Sequence, residues 1–206
     1  MLRAADNTAF GRHRHWGAIM HSYSVILDAR RGYARLGRCL AGLARDFGQT
    51  PARHEIWLLL DKPRRRVERL ADTHGARQLL LPDLTRGQRL NIAANRSQAD
   101  VLLFLDPAID PPPGWLTLVD QALTSPQWDV VALVSNGWLA THWLSRLPGG
   151  GGRIRLLAMR HSWFERVGGF DPEREGTAER DLLVRLRACH ASVLQRRMGD
   201  GQRSAG

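Results

Sequence analysis

The chain has 206 residues, 43% of them hydrophobic and seven of them tryptophan, which suits one domain with a core of its own. Only two cysteines occur, so a disulfide-built secreted scaffold is excluded and both thiols are expected to be reduced. Thirty Lys and Arg against twenty Asp and Glu give a net charge of +10, which favours anionic partners. No stretch is apolar for long enough to span a bilayer and the N-terminus lacks the apolar core of a signal peptide, so a cytoplasmic place of work is expected. The basic residues, nearly all arginine, are scattered over helices and not interleaved with aromatics on one ribbon, which makes nucleic acid an unlikely partner.

Residues 1–19 are polar, basic and aperiodic, and read as a flexible arm ahead of a domain over residues 20–198; Met20 is a second candidate for the start of translation. Residues 23–27, YSVIL, predict a strand that ends in Asp28. Leu36, Leu40, Leu43, Ala44 and Phe47 recur at helical spacing and predict a helix over 33–47, stopped by Gly48 and Pro51. IWLLL at 56–60 is a second buried strand, ending in Asp61, and a basic helix over 64–74 leads to a third strand at 78–81. A helix over 86–98 precedes VLLFL at 101–105, a run apolar on both faces as in a parallel sheet covered by helices, and Asp106 follows it directly.

Pro111, Pro112 and Pro113 stop that strand and deliver the chain to a helix over 115–123, after which 129–134 is a further strand. Residues 136–147 carry no clear pattern, and Gly149 to Gly152 form a four-glycine loop. Strand, short helix, longer helix and last strand then follow at 153–159, 161–167, 178–189 and 192–198, and residues 199–206 read as a disordered tail. The alternation of strands and helices predicts an α/β fold with a mostly parallel sheet flanked by helices on both faces.

Three strands thus end in an acid. Parallel strands present their carboxyl ends along one edge, where open α/β sheets bind ligands, so Asp28, Asp61 and Asp106 are candidate ligand-binding residues. Carboxylates on one edge can hold a divalent cation and, through it, a diphosphate; each can equally cap the turn that follows it. No His, Cys and acid cluster has metal-ligand spacing, and no serine has a nucleophile-elbow context.

The order SVIL, IWLLLD, RGQRLNIAANRSQADVLLFLD, PPPGWL and WFERVGGFDPEREGTAERDLLVRLR resembles the family 2 glycosyltransferases over about residues 22–190. The resemblance implies the single-domain GT-A fold of nucleotide-diphospho-sugar transferases, which is Rossmann-like. It further implies a nucleotide-sugar donor, a glycan or lipid-linked acceptor, and Mn²⁺ or Mg²⁺ as cofactor. By the same resemblance Asp61 binds the nucleoside, Arg86, Gln88 and Asn91 lie near the nucleotide and sugar, Asp106 is the first acid of a D-x-D metal motif, and Glu179 is the general base. A basic surface would suit peripheral contact with an anionic membrane at its inner face.

The chain departs from that pattern at three functional places. Ala108 stands where the second D-x-D acid belongs, Ala178 replaces the neighbour of Glu179, and Lys62-Pro63-Arg64-Arg65 replaces a flexible D-G-S stretch. Asp110 is a substitute ligand if its loop folds back, and Arg64, Arg65 and Arg86 offer a metal-free way to neutralise a diphosphate. Two readings therefore stand: an inverting glycosyltransferase, or a degenerate member that binds a nucleotide, glycan or partner protein without turnover.

Overall fold

A computed structural model of the protein describes residues 21–30, 32–50, 52–135 and 152–198. The expected N-terminal arm, the unpatterned stretch 136–147, most of the four-glycine loop and the C-terminal tail lie outside the described residues. Strands β1 (Tyr23–Asp28), β2 (His54–Leu60), β3 (Arg77–Leu80), β4 (Val101–Leu105), β5 (Val130–Ser135), β6 (Arg153–Arg160) and β7 (Val193–Arg197) form one sheet in the order β3-β2-β1-β4-β6-β5-β7. Pairings β1–β2, β1–β4, β2–β3 and β5–β7 are parallel, while β6 runs antiparallel to both β4 and β5. The expected mostly parallel α/β sheet is what forms, with one reversed strand inserted in it.

The helices are α1 (Leu36–Gly48), α2 (Arg65–His74), α3 (Arg86–Arg96), α4 (Trp115–Thr124), α5 (His161–Arg166) and α6 (Ala178–Ala188). Alternation along each central strand divides the core in two. Val25, Leu27, Leu103 and Leu105 pack with α1 and α4, whereas Ile26, Leu102, Phe104 and Leu157 pack with α3, α5 and α6. β1 and β4 are buried on both faces, which is why their sequences read as unbroken apolar runs.

Two helix ends differ from expectation by two residues or more, for local reasons. α1 starts at Leu36 and not at 33, because Gly32, at φ +113°, turns the chain and lies against Ala108 so closely that a Cβ there would be 2.8 Å from the Ala108 nitrogen. α3 ends at Arg96 because Ser97 is extended and its hydroxyl accepts the Ala99 N–H at 3.1 Å.

The cysteines are unpaired. Cys39 is buried in α1 and Cys189 is exposed just past α6. Burial, reinforced by the nearby Asp110 and Asp106 carboxylates, pushes the Cys39 thiol up to about 12. We expect one equivalent of thiol to react with a disulfide reagent at pH 8 in the native protein and the second only after denaturation, read by absorbance. Two equivalents under native conditions would contradict this burial.

Candidate active site

β1, β2 and β4 are mutually parallel, so Asp28, Asp61 and Asp106 do share the carboxyl edge of the sheet. The reversal of β6 adds what the parallel strands alone would not supply, since its amino end, with Arg153 and Arg155, meets the carboxyl end of β4. Along the edge the order is Asp61, Asp28, Asp106, Arg155 and then Ser135 at the end of β5. With strands about 4.8 Å apart, Asp61 and Asp106 stand roughly 10 Å from one another.

Asp28 is the centre of a buried ion network. Its Oδ2 lies 2.6 Å from Arg89 Nη2, and both side chains are fully buried. Arg86 Nε is 3.6 Å from the same oxygen, and Arg86 Nη1 is 2.6 Å from Glu179 Oε1. Arg86 thus bridges Asp28 to the candidate base by close charge contacts, although Nε and Nη1 lack well-aligned hydrogen-bond acceptors. Its backbone N–H donates to Glu175 Oε1 at 3.0 Å, tying the start of α3 to the loop before α6.

Asp61 is more open. The Tyr33 hydroxyl donates to its Oδ1 at 3.2 Å, and the Arg64 guanidinium lies over the Tyr33 ring with its carbon 4.1 Å from the centroid. Partial desolvation raises the Asp61 pKa, but its own N–H, the Tyr33 hydroxyl and Arg64 together outweigh it and hold the carboxyl below its usual value. Tyr33 and Arg64 therefore form a flat, charged platform beside a committed carboxylate.

Gln88 and Asn91 use their side chains within the fold. Thr85 and Gln88 make a capping box at the start of α3: the Thr85 N–H donates to Gln88 Oε1 at 2.9 Å, and the Gln88 N–H donates to Thr85 Oγ1 at 3.3 Å. Asn91 Nδ2 donates to the Phe170 carbonyl and its Oδ1 accepts the Phe170 N–H, both at 2.8 Å. Phe170 itself packs against Phe104 and Phe164, with ring centroids 4.8 and 5.7 Å away. Arg185 of α6 donates to the carbonyls of Val167 and Gly169, each at 2.7 Å. The Gly-Gly-Phe-Asp turn is thereby fastened to α3 and α6, and it holds Glu179 near Arg86.

Both glycines of that turn are left-handed, at φ +76° for Gly168 and +73° for Gly169. A Cβ on Gly169 would sit 2.7 Å from Asn91 Oδ1, whereas one on Gly168 would meet nothing within 4 Å. We expect Gly168→Ala to cost about 1–2 kcal/mol from its backbone conformation alone, and Gly169→Ala to cost distinctly more because it also displaces Asn91. Equal shifts in thermal melting for the two variants would contradict the Asn91 contact.

At Asp106, Oδ2 is 2.7 Å from Arg155 Nη1 and 4.0 Å from Arg153 Nε, while Oδ1 accepts the Ala108 N–H at 3.0 Å. Arg155 is placed by a β-bulge. Leu133 pairs with Leu156 but Val134 pairs with Ile154, so Arg155 is the extra residue in β6. Its Nε donates to Ser135 Oγ at 3.2 Å and its carbonyl accepts the Asp106 N–H at 2.8 Å.

The sheet, with its one reversed strand, has the GT-A fold, which solved structures bear out. The chain is similar to a mannosyltransferase from Pyrobaculum calidifontis in complex with GDP-Man and Mn²⁺, at 14% identity and a TM-score of 0.63, over 86% of this chain and 55% of that one. It is similar to glucosyl-3-phosphoglycerate synthase from Mycobacterium tuberculosis in complex with UDP, at 18% identity and a TM-score of 0.68, over 86% of this chain and 70% of that one. It is also similar to the catalytic domain of Drosophila β1,4-galactosyltransferase 7 in complex with xylobiose, at 14% identity and a TM-score of 0.57, over 87% of this chain and 66% of that one. No protein-family model matches the sequence, and no curated protein matches it. At identities this low the structural likeness shows the fold alone. Among the described residues, no helix is long and apolar enough to cross a membrane.

The resemblance implies Mn²⁺ or Mg²⁺ at Asp106, and solved structures of the mannosyltransferase and of the glucosyl-3-phosphoglycerate synthase contain Mn²⁺. The donor set does not fit one. Ala108 supplies no ligand, and Asp110 lies 3.9 Å from Arg38 with its side chain half exposed. Among the described residues no group of three His, Cys, Asp or Glu is arranged to hold a metal. A divalent cation about 4 Å from the Arg155 guanidinium would meet a repulsion of roughly 8 kcal/mol at an effective dielectric of 20.

Four residues of this edge escaped the sequence reading: Tyr33, Arg89, Arg153 and Arg155. Arg89 was legible in principle, because Arg89, Leu90 and Ala93 follow Arg86 at spacings of three, four and seven and so share the inner face of α3. Arg155 had no such signal, since a bulge displaces it from the alternation of its strand.

Proposed function

We propose that the chain is a glycosyltransferase that moves a sugar from a nucleotide-diphospho-sugar to an acceptor hydroxyl, with inversion. The observation that carries this reading is the Asp28–Arg86–Glu179 chain of contacts, which presents an acid from the start of α6 at the carboxyl edge of a GT-A sheet. Asp61, with Tyr33 and Arg64, would receive the nucleoside. The acceptor oxygen would attack the anomeric carbon, the bond to the diphosphate would break, and Glu179 would take the acceptor's proton. Asp28 and Arg86 position Glu179, and Gln88 and Asn91 hold α3 and the Gly-Gly-Phe turn around it.

The acceptor class that fits a basic protein is a glycan or a lipid-linked phosphate, reached by peripheral contact with an anionic membrane face from the cytoplasm. The second reading, a binder without turnover, is favoured by one observation: Asp106 and Glu179 are both already ion-paired.

A thermal-shift screen against UDP, GDP and TDP, with and without Mn²⁺ or Mg²⁺, tests the donor site. One nucleotide is expected to stabilise the protein by about 2.7 kcal/mol at a hundredfold excess over its Kd. Stabilisation by none would refute a donor site and with it the transferase reading.

A further inference from the structure

We propose that Arg155, with Arg153 beside it, stands in for the divalent cation of this fold, so that the diphosphate of a nucleotide binds at Asp106 without metal. The inference rests on the donor-site reading above and goes beyond it by naming the groups that meet the diphosphate. The arginines singled out by sequence, Arg64, Arg65 and Arg86, lie elsewhere: Arg64 covers Tyr33, Arg65 opens α2 and Arg86 is engaged with Asp28 and Glu179.

Three observations converge on β6. The bulge makes Arg155 the extra residue of its strand and sets its guanidinium 2.7 Å from Asp106, with Ser135 Oγ accepting from Nε at 3.2 Å. Both oxygens of Asp106, a side chain only 6% exposed, are already partnered by Arg155 and by the Ala108 N–H. The side chains of Arg155 and Arg153 are 22% and 50% exposed, so the pair remains open to a ligand.

Charge supports the exchange. Two carboxylates holding one divalent cation carry no net charge, whereas Asp106 with Arg153 and Arg155 keeps one net positive charge for an incoming anion. A guanidinium presents several N–H donors in a planar fork that matches phosphate oxygens, which a metal would otherwise coordinate. Asp106 then orients Arg155 and does not serve as a metal ligand.

Calorimetric titration of UDP and GDP in EDTA and in Mn²⁺ tests this, using the full chain and the variants Arg155→Met, Asp106→Asn and the double variant Asp106→Asn/Arg155→Met. The double variant is included because Arg155→Met alone leaves Asp106 buried without its ion partner. The native protein is expected to bind one nucleotide with the same affinity in both conditions. Arg155→Met and the double variant should bind roughly ten- to a hundredfold more weakly, and Asp106→Asn, which keeps an oxygen acceptor for Arg155 while removing the negative charge that competes with the diphosphate, should bind more tightly. Binding that requires Mn²⁺ and disappears in Asp106→Asn would overturn the inference while leaving the donor site standing. Metal-free binding unaltered in both Arg155 variants would overturn the assignment to Arg155, and no binding in either condition would overturn both readings.

Discussion

Replacing Asp28 with Ala is expected to destabilise the protein by about 3–5 kcal/mol, because it leaves a buried cation without its counter-charge. Arg89 has no exposed surface and its Nη2 lies 2.6 Å from Asp28, while Arg86, also buried, approaches the same oxygen at 3.6 Å. Removing the carboxylate leaves Arg89 fully buried without a counter-charge, held only by its Nη1 donating to the Leu84 carbonyl, and an unpaired buried guanidinium is costly. Removing both charges is a different matter. The double variant Asp28→Asn/Arg89→Met should recover most of the loss, since a buried pair contributes little beyond mutual neutralisation. Urea unfolding followed by circular dichroism measures both variants. A loss under about 1 kcal/mol in Asp28→Ala would show that water or another group reaches Arg89.

Glu179→Gln is expected to lower transfer by a factor of about 10² to 10⁴, the range for a positioned general base, with nucleotide affinity little changed. The geometry makes the expectation specific. Glu179 lies in the first turn of α6 and its side chain is 16% exposed, so it is near the surface of the edge and not sealed below it. Its contact with Arg86 fixes the carboxylate over the end of β1, and Gln keeps the shape while giving up the proton-accepting charge. Rate and nucleotide binding must be measured together. Equal loss of both would mean that Glu179 serves the fold or the donor site, and unchanged turnover would remove it from the mechanism.

Most of the fold was legible in sequence because its signals are local. The strands ending in Asp28, Asp61 and Asp106 are apolar runs, and the helices between them have an inward face at period 3.6. The site was legible only in part. That three acids share one edge follows from parallel strands, and Glu179 is found through a family pattern. What each acid touches is not written locally, since Asp28 and Arg89 are 61 positions apart and Asp106 and Arg155 are 49.

The sequence by itself determined the alternation of elements, the buried character of the central strands, and the acids at their ends, since periodicity and composition act over a few residues. The tertiary structure decided which of those acids are free. It closed Asp28 under two arginines of α3, left Asp61 beside Tyr33, and brought Arg155 to Asp106 through a reversed strand and a bulge. The physical reason is that a carboxylate's chemistry depends on charges and donors within a few ångströms, and those neighbours arrive from distant strands and helices only when the sheet is assembled.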